Sequence, residues 1–122
     1  MSKTKYEIEV RDKNGDFEAT LKFCDELNAE ASLQIFDTDE AMPNLIGTNP
    51  VHAYLDHMWD WWKNDFKKVC KLHPNIQVNI KANGGEDNPK NWWLCQIKDG
   101  KFLYAKAKIT PPWESDALVE TL

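Results

Sequence analysis

The stretch Asn49–His73, NPVHAYLDHMWDWWKNDFKKVCKLH, constrains the fold more than any other part of this chain. Val51, Leu55, Met58, Trp62, Phe66 and Val69 recur at intervals of three and four residues, the period of one helix face. Thr48 or Asn49 offers a side-chain cap, Pro50 suits a first helical position, and Pro74 disfavours helical geometry at His73. These signals predict one long helix over 50–72 with its apolar stripe on a core. Lys63, Lys67, Lys68 and Lys71 gather toward its C-terminal end, where the helix dipole favours cations. Trp59 and Trp61 fall off the stripe.

The flanking segments read as strands. Asn14-Gly15 is a preferred pair for a two-residue hairpin turn, which predicts a hairpin over 6–24. In that register Tyr6 faces Phe23, Ile8 faces Leu21 and Val10 faces Ala19, with Glu7 opposite Lys22 and Arg11 opposite Glu18. A third strand is expected over 32–36, with a short helix over 26–35 as the alternative. After the helix, Ile76, Val78, Ile80 and Ala82 alternate with polar residues. Trp92–Lys98 and Phe102–Ile109 then form a second hairpin across Asp99-Gly100, and the three strands make a meander over 76–109. A bulged three-residue turn is the preferred register there, placing Trp92, Leu94, Phe102 and Tyr104 on one face beside Gln96, Lys106 and Lys108. Pro111-Pro112 ends the strand, and residues 111–122 are expected as a short helix or a tail. The predicted architecture is α+β: an antiparallel sheet of five to six strands packed on one long helix, in a single domain over 1–122.

Charge narrows the function classes. The net charge is −5, and residues 1–49 hold 11 acidic against 5 basic side chains. That balance argues against general nucleic-acid binding, which needs clustered Lys and Arg. No apolar run approaches a membrane span and no signal-peptide core is apparent, so a cytoplasmic location is expected. Cys24, Cys70 and Cys95 form no disulfide framework. Cys70 and His73 are three apart, but His52 and His57 diverge on a helix and no zinc spacing occurs, so no metal or cofactor is expected. No nucleophile–base–carboxylate pattern carries a signature either.

The string NWWLCQIKDGKF resembles the double-tryptophan strand of SH3-like barrels over about a tenth of the chain, although a long preceding helix has no place in such a barrel. Six tryptophans are many for a chain of 122 residues, and surplus aromatics are what interface hot spots are built from. These features point to a non-enzymatic interaction protein, an inhibitor, immunity or accessory factor, monomeric or homodimeric. It would bind a protein partner through Trp92, Phe102 and Tyr104, with Asp37, Asp39 and Glu40 as an acidic rim. The alternative is a small-molecule-binding protein or enzyme with a pocket between helix and sheet, its mouth lined by Tyr54, His57 and Trp61. A further alternative is single-strand nucleic-acid stacking on the second hairpin.

Overall fold

A computed structural model describes residues 4–36, 51–85, 91–106 and 118–121. The described elements are β1 (Lys5–Asp12), α1 (Phe17–Ala31), β2 (Val51–Leu55), α2 (Trp62–Leu72), β3 (Ile76–Asn83), β4 (Trp93–Lys98), β5 (Lys101–Lys106) and β6 (Leu118–Thr121). The strands form one antiparallel sheet in the order β2-β1-β3-β4-β5-β6, with both helices packed against it. The α+β class and the antiparallel sheet expected from the sequence are therefore present, as are all three strands of the meander through Lys106. Several element assignments change.

The first hairpin is replaced by strand, turn and helix. Asp12 ends β1, and its carboxylate accepts the backbone N–H groups of Asn14 (2.8 Å) and Asp16 (3.1 Å). Gly15 takes a left-handed φ of 80° in that turn. Asp16 then caps α1 by accepting the Ala19 N–H at 3.1 Å. The segment after Gly15 is rich in helix formers, and Leu21 and Phe23 belong to a buried helical face with Thr20, Cys24 and Leu27. Ala19 and Phe23, four apart, suit either period, so the cross-strand matches of the hairpin are coincidental. Tyr6, Ile8 and Val10 instead lie opposite Leu55, Ala53 and Val51 on one side and Ala82, Ile80 and Val78 on the other.

The predicted helix over 50–72 divides in the same way. Residues 51–55 form β2, with Val51 and Ala53 buried and His52 and Tyr54 outward, and the helix begins only at Trp62. Val51 and Leu55 are spaced to suit either period, and the strand gains a full ladder with β1. The third strand expected over 32–36 is absent. Ser32 closes α1 in a left-handed conformation with φ of 52°. Asn28 then holds the returning chain: its Oδ1 accepts the N–H of Ile35 (2.9 Å) and Phe36 (3.1 Å), and its Nδ2 donates to the Phe36 carbonyl (2.9 Å). Ile35 and Phe36 are buried by this loop. At the other end, Leu118–Thr121 pairs with β5 as a strand rather than forming a terminal helix, which covers part of an otherwise open edge. Residues 107–117 lie outside the described residues.

The second hairpin uses a two-residue turn, not the bulged form. Asp99 and Gly100 have φ of 53° and 74°, the paired positive values of a type I′ turn. Cys95 then lies opposite Tyr104 and Ile97 opposite Phe102. Phe102 and Tyr104 consequently share the helix-facing side with Trp93, Cys95 and Ile97, and Phe102 is 1% exposed.

Between helices and sheet the core contains Phe23 and Leu27 of α1, Phe66 and Val69 of α2, and Ile8, Val10, Val78 and Ile80 of the central strands. The helices run antiparallel, as the contacts of Glu26 with His73 and of Glu30 with Lys68 (2.8 Å) show. Their charges are opposite: α1 carries Glu18, Asp25, Glu26 and Glu30 against Lys22, while α2 carries Lys63, Lys67, Lys68 and Lys71 against Asp65. The burial of Phe102 makes a stability prediction: Phe102→Ala should cost about 3–5 kcal/mol in urea unfolding. An unchanged midpoint would place that ring outside the core.

Candidate functional site

The aromatic residues singled out from the sequence do not form a surface platform. Trp62 stacks on Trp93 with ring centroids 5.1 Å apart and planes within 8°. Phe66 meets Trp62 edge-on, Trp59 approaches Phe66, and Phe102 and Tyr104 complete the cluster against Trp62 and Trp93. Lys63 lies over the Tyr104 ring at 4.4 Å and Lys67 over Phe102 at 4.7 Å, closing the cluster from the α2 side. The Trp59 indole N–H donates to Asp65 at 2.7 Å, which pins the turn before α2 to its first helical turn. Trp92 precedes β4 and donates its indole N–H to the Gly85 carbonyl at 3.2 Å, so it ties down a connection. Of the three aromatics expected to form the patch, Phe102 is core, Tyr104 lies on the helix side and Trp92 is separate from both. Asp37, Asp39 and Glu40, the expected rim, lie outside the described residues.

The expected pocket residues are not brought together between helix and sheet. His57 is exposed in the connection after β2, and Trp61 is the cap residue of α2, with 70% of its surface open. Tyr54 points from β2 to the opposite side of the sheet and is 73% exposed.

That opposite side is where the structure concentrates unassigned chemistry. Alternate residues of β1, β2, β3, β4 and β5 face away from the helices, and no described element covers them. The strand registers place His52, Glu9, Asn79, Gln96 and Leu103 in one row across five strands. A second row runs Tyr54, Glu7, Lys81, Leu94 and Ala105. The first row is a hydrogen-bonded ladder. Gln96 Nε2 donates to Asn79 Oδ1 (3.0 Å), Asn79 Nδ2 donates to Glu9 Oε1 (3.3 Å), and Arg11 Nη2 donates to the same oxygen (3.0 Å). His52 Nε2 lies 3.3 Å from the other Glu9 oxygen. Partial burial opposes ionisation of Glu9, but the Asn79 hydrogen bond and the Arg11 and His52 charges outweigh it and hold the carboxyl below the ordinary glutamate range. His52 also stacks on Tyr54, with planes within 11°.

Two shallow grooves cross this face and share Glu7 and Lys81. One, of about 390 Å³, runs between Glu9, Asn79, Gln96, Leu94 and Leu103. The other, of about 270 Å³, lies beside Tyr54, Asp56, Lys5 and Asn83. Sequence reasoning misses this ladder because it places residues 51–55 in a helix; once VHAYL is a strand, period-two alternation brings His52 beside Glu9.

The remaining reactive groups are enclosed. Cys24, Cys70 and Cys95 are free thiols buried in the core, and burial pushes each up to about 12. Among the described residues no group of three or more His, Cys, Asp or Glu side chains is placed to hold a metal ion. No described helix is long and apolar enough to cross a membrane. No protein-family model, curated protein or solved structure matches the chain.

Two measurements test this geometry. Because the folded Glu9 carboxyl titrates below its unfolded value, its contribution to stability is present above about pH 4–5 and declines as pH falls through the lowered value. Glu9→Gln should therefore be less stable than the parent at pH 7, and the two unfolding curves should converge in acid; a gap that persists at about pH 2 would contradict the ladder. The thiols should resist iodoacetamide at about pH 8 in the native protein and all three should alkylate in urea, since only thiolate reacts. Rapid native labelling would show that a cysteine is not enclosed.

Proposed function

We propose that this chain is a non-enzymatic interaction protein that docks a protein partner on the helix-free face of its sheet. The observation that carries the reading is the row His52–Glu9–Asn79–Gln96, in which hydrogen bonds join Gln96, Asn79 and Glu9 and His52 lies in contact with Glu9, on a face with no described covering and bordered by Leu94, Leu103 and the exposed Tyr54. A rigid polar row beside apolar and aromatic side chains is the composition that protein interfaces use, because pre-ordered groups lose little entropy on binding. The buried, protonated thiols also fit a protein that works by contact rather than by nucleophilic chemistry.

The stacking mode for single-stranded nucleic acid finds no support, since it requires Phe102 and Tyr104 on an open face and both lie beneath lysines of α2. A ligand pocket between helix and sheet is likewise not favoured, because Phe23, Leu27, Phe66 and Val69 occupy that layer.

The test is affinity capture from the native host with the tagged chain and two variants of the open face. Tyr54→Ala and Leu94→Lys should each lose the stoichiometric partner captured by the parent, with unfolding free energies within about 1 kcal/mol of it, as for surface substitutions. Retention of the partner by both variants would remove this face from the interaction.

A further inference from the structure

Glu7 lies where the two grooves meet, and it differs from the other carboxylates near them. Glu9 is matched by Arg11 and His52, and Asp56 is matched by Lys5 at 3.2 Å. Glu7 is half-buried between β2 and β3, yet among the described residues its carboxylate has no hydrogen bond and no ion pair. Lys81 stands opposite it on β3, but no ion pair joins the two. On its other side the cross-strand neighbour is Tyr54, whose ring is supported from behind by the parallel His52 ring and is otherwise open. Directly opposed residues in an antiparallel pair have Cβ atoms only about 4.5–5.5 Å apart, so one planar cation can touch the ring and the carboxylate together.

We infer that the docked partner is anchored by an arginine side chain, its guanidinium stacked on Tyr54 and hydrogen-bonded to the Glu7 carboxylate. The inference rests on the sheet face being the docking surface and names the chemistry that the face selects. Charge complementarity argues for a cation, because among the described residues Glu7 is the one groove carboxylate that forms no ion pair, even with Lys81 opposite it. A bidentate pair of N–H groups supplies donors that this carboxylate does not receive from the described residues. The flat, supported tyrosine ring argues for guanidinium over ammonium, since arginine stacks on aromatic faces while donating in its own plane. The aliphatic part of the side chain can continue along the groove toward Leu94 and Leu103, which line it beyond Glu7.

The experiment uses the full chain labelled with ¹⁵N and titrated with N-acetyl-arginine amide, N-acetyl-lysine amide and N-acetyl-citrulline amide. The arginine compound should shift the backbone amides of Glu7, Tyr54 and Lys81 saturably, and the uncharged citrulline compound should leave them in place. Glu7→Gln, which keeps size and fold, should weaken arginine binding about tenfold, as loss of a charge-assisted pair does. Tyr54→Leu should reduce the preference for arginine over lysine. Shifts that survive Glu7→Gln unchanged, or that citrulline reproduces, would overturn the arginine anchor. If no compound binds while Leu94→Lys still abolishes partner capture, the face docks its partner without an arginine and this inference alone fails. If Leu94→Lys and Tyr54→Ala also leave capture intact, the docking face itself is wrong.

Discussion

The stack of Trp62 on Trp93 is the contact on which the arrangement of the helix layer depends. It joins the first turn of α2 to β4, and the rings of Phe66, Phe102 and Tyr104 surround it. Parallel rings of this kind contribute on the order of 0.5–1.5 kcal/mol beyond the area they bury. The positional effect matters more than the energy. With Trp62 fixed, its helix sets Trp62, Lys63 and Lys67 against Trp93, Tyr104 and Phe102 of β4 and β5, α1 packs alongside over β1 and β3, and the facing charges of the two helices meet at Lys68 and Glu30. Trp59, Trp62 and Trp93, three of the six tryptophans, thus serve to seat one helix.

Using the aromatics inside leaves the other side of the sheet to polar groups. Five strands present their outward residues there, and cross-strand proximity turns those residues into a connected row. Each member constrains its neighbour: Glu9 receives two donors on one oxygen, and Asn79 both donates and accepts. Long polar side chains on an open face would otherwise sample many rotamers. Here the hydrogen bonds joining Glu9, Asn79 and Gln96 remove much of that freedom.

How much of this is legible in the sequence depends on whether the spacing of apolar residues is ambiguous. Ile76, Val78, Ile80 and Ala82 alternate without exception and fit only a strand with one buried face. Val51, Leu55 and Met58 fit a helix stripe, but Val51, Ala53 and Leu55 fit a strand equally well, and pairing with β1 decides between them. Asn14-Gly15 signals a turn correctly but does not distinguish a second strand from a helix beyond it; the Asp16 cap carries that information. In the second hairpin the outcome rests on Asp99 adopting a left-handed conformation, which moves Phe102 and Tyr104 across the sheet. The candidate site is hidden in the sequence because a helical period over 51–55 conceals His52 as the neighbour of Glu9, and the hairpin reading of 6–24 gives β1 a different partner.

The placement of β1 has a consequence for how the molecule assembles in time. It is the earliest of the described strands in the chain, yet it lies inside the sheet between β2 and β3, whose residues begin about forty and sixty-four positions after its end. Among the described strands β3, β4, β5 and β6 follow one another in both chain and sheet. A strand whose two partners both lie far along the chain must wait for long loops to close, and such pairings form slowly. Its buried row of Ile8 and Val10 therefore remains without a sheet for as long as α1, β2 and α2 take to be made and positioned. During that interval α1, which comes after β1 across a four-residue turn, is the nearest apolar surface that can shelter it.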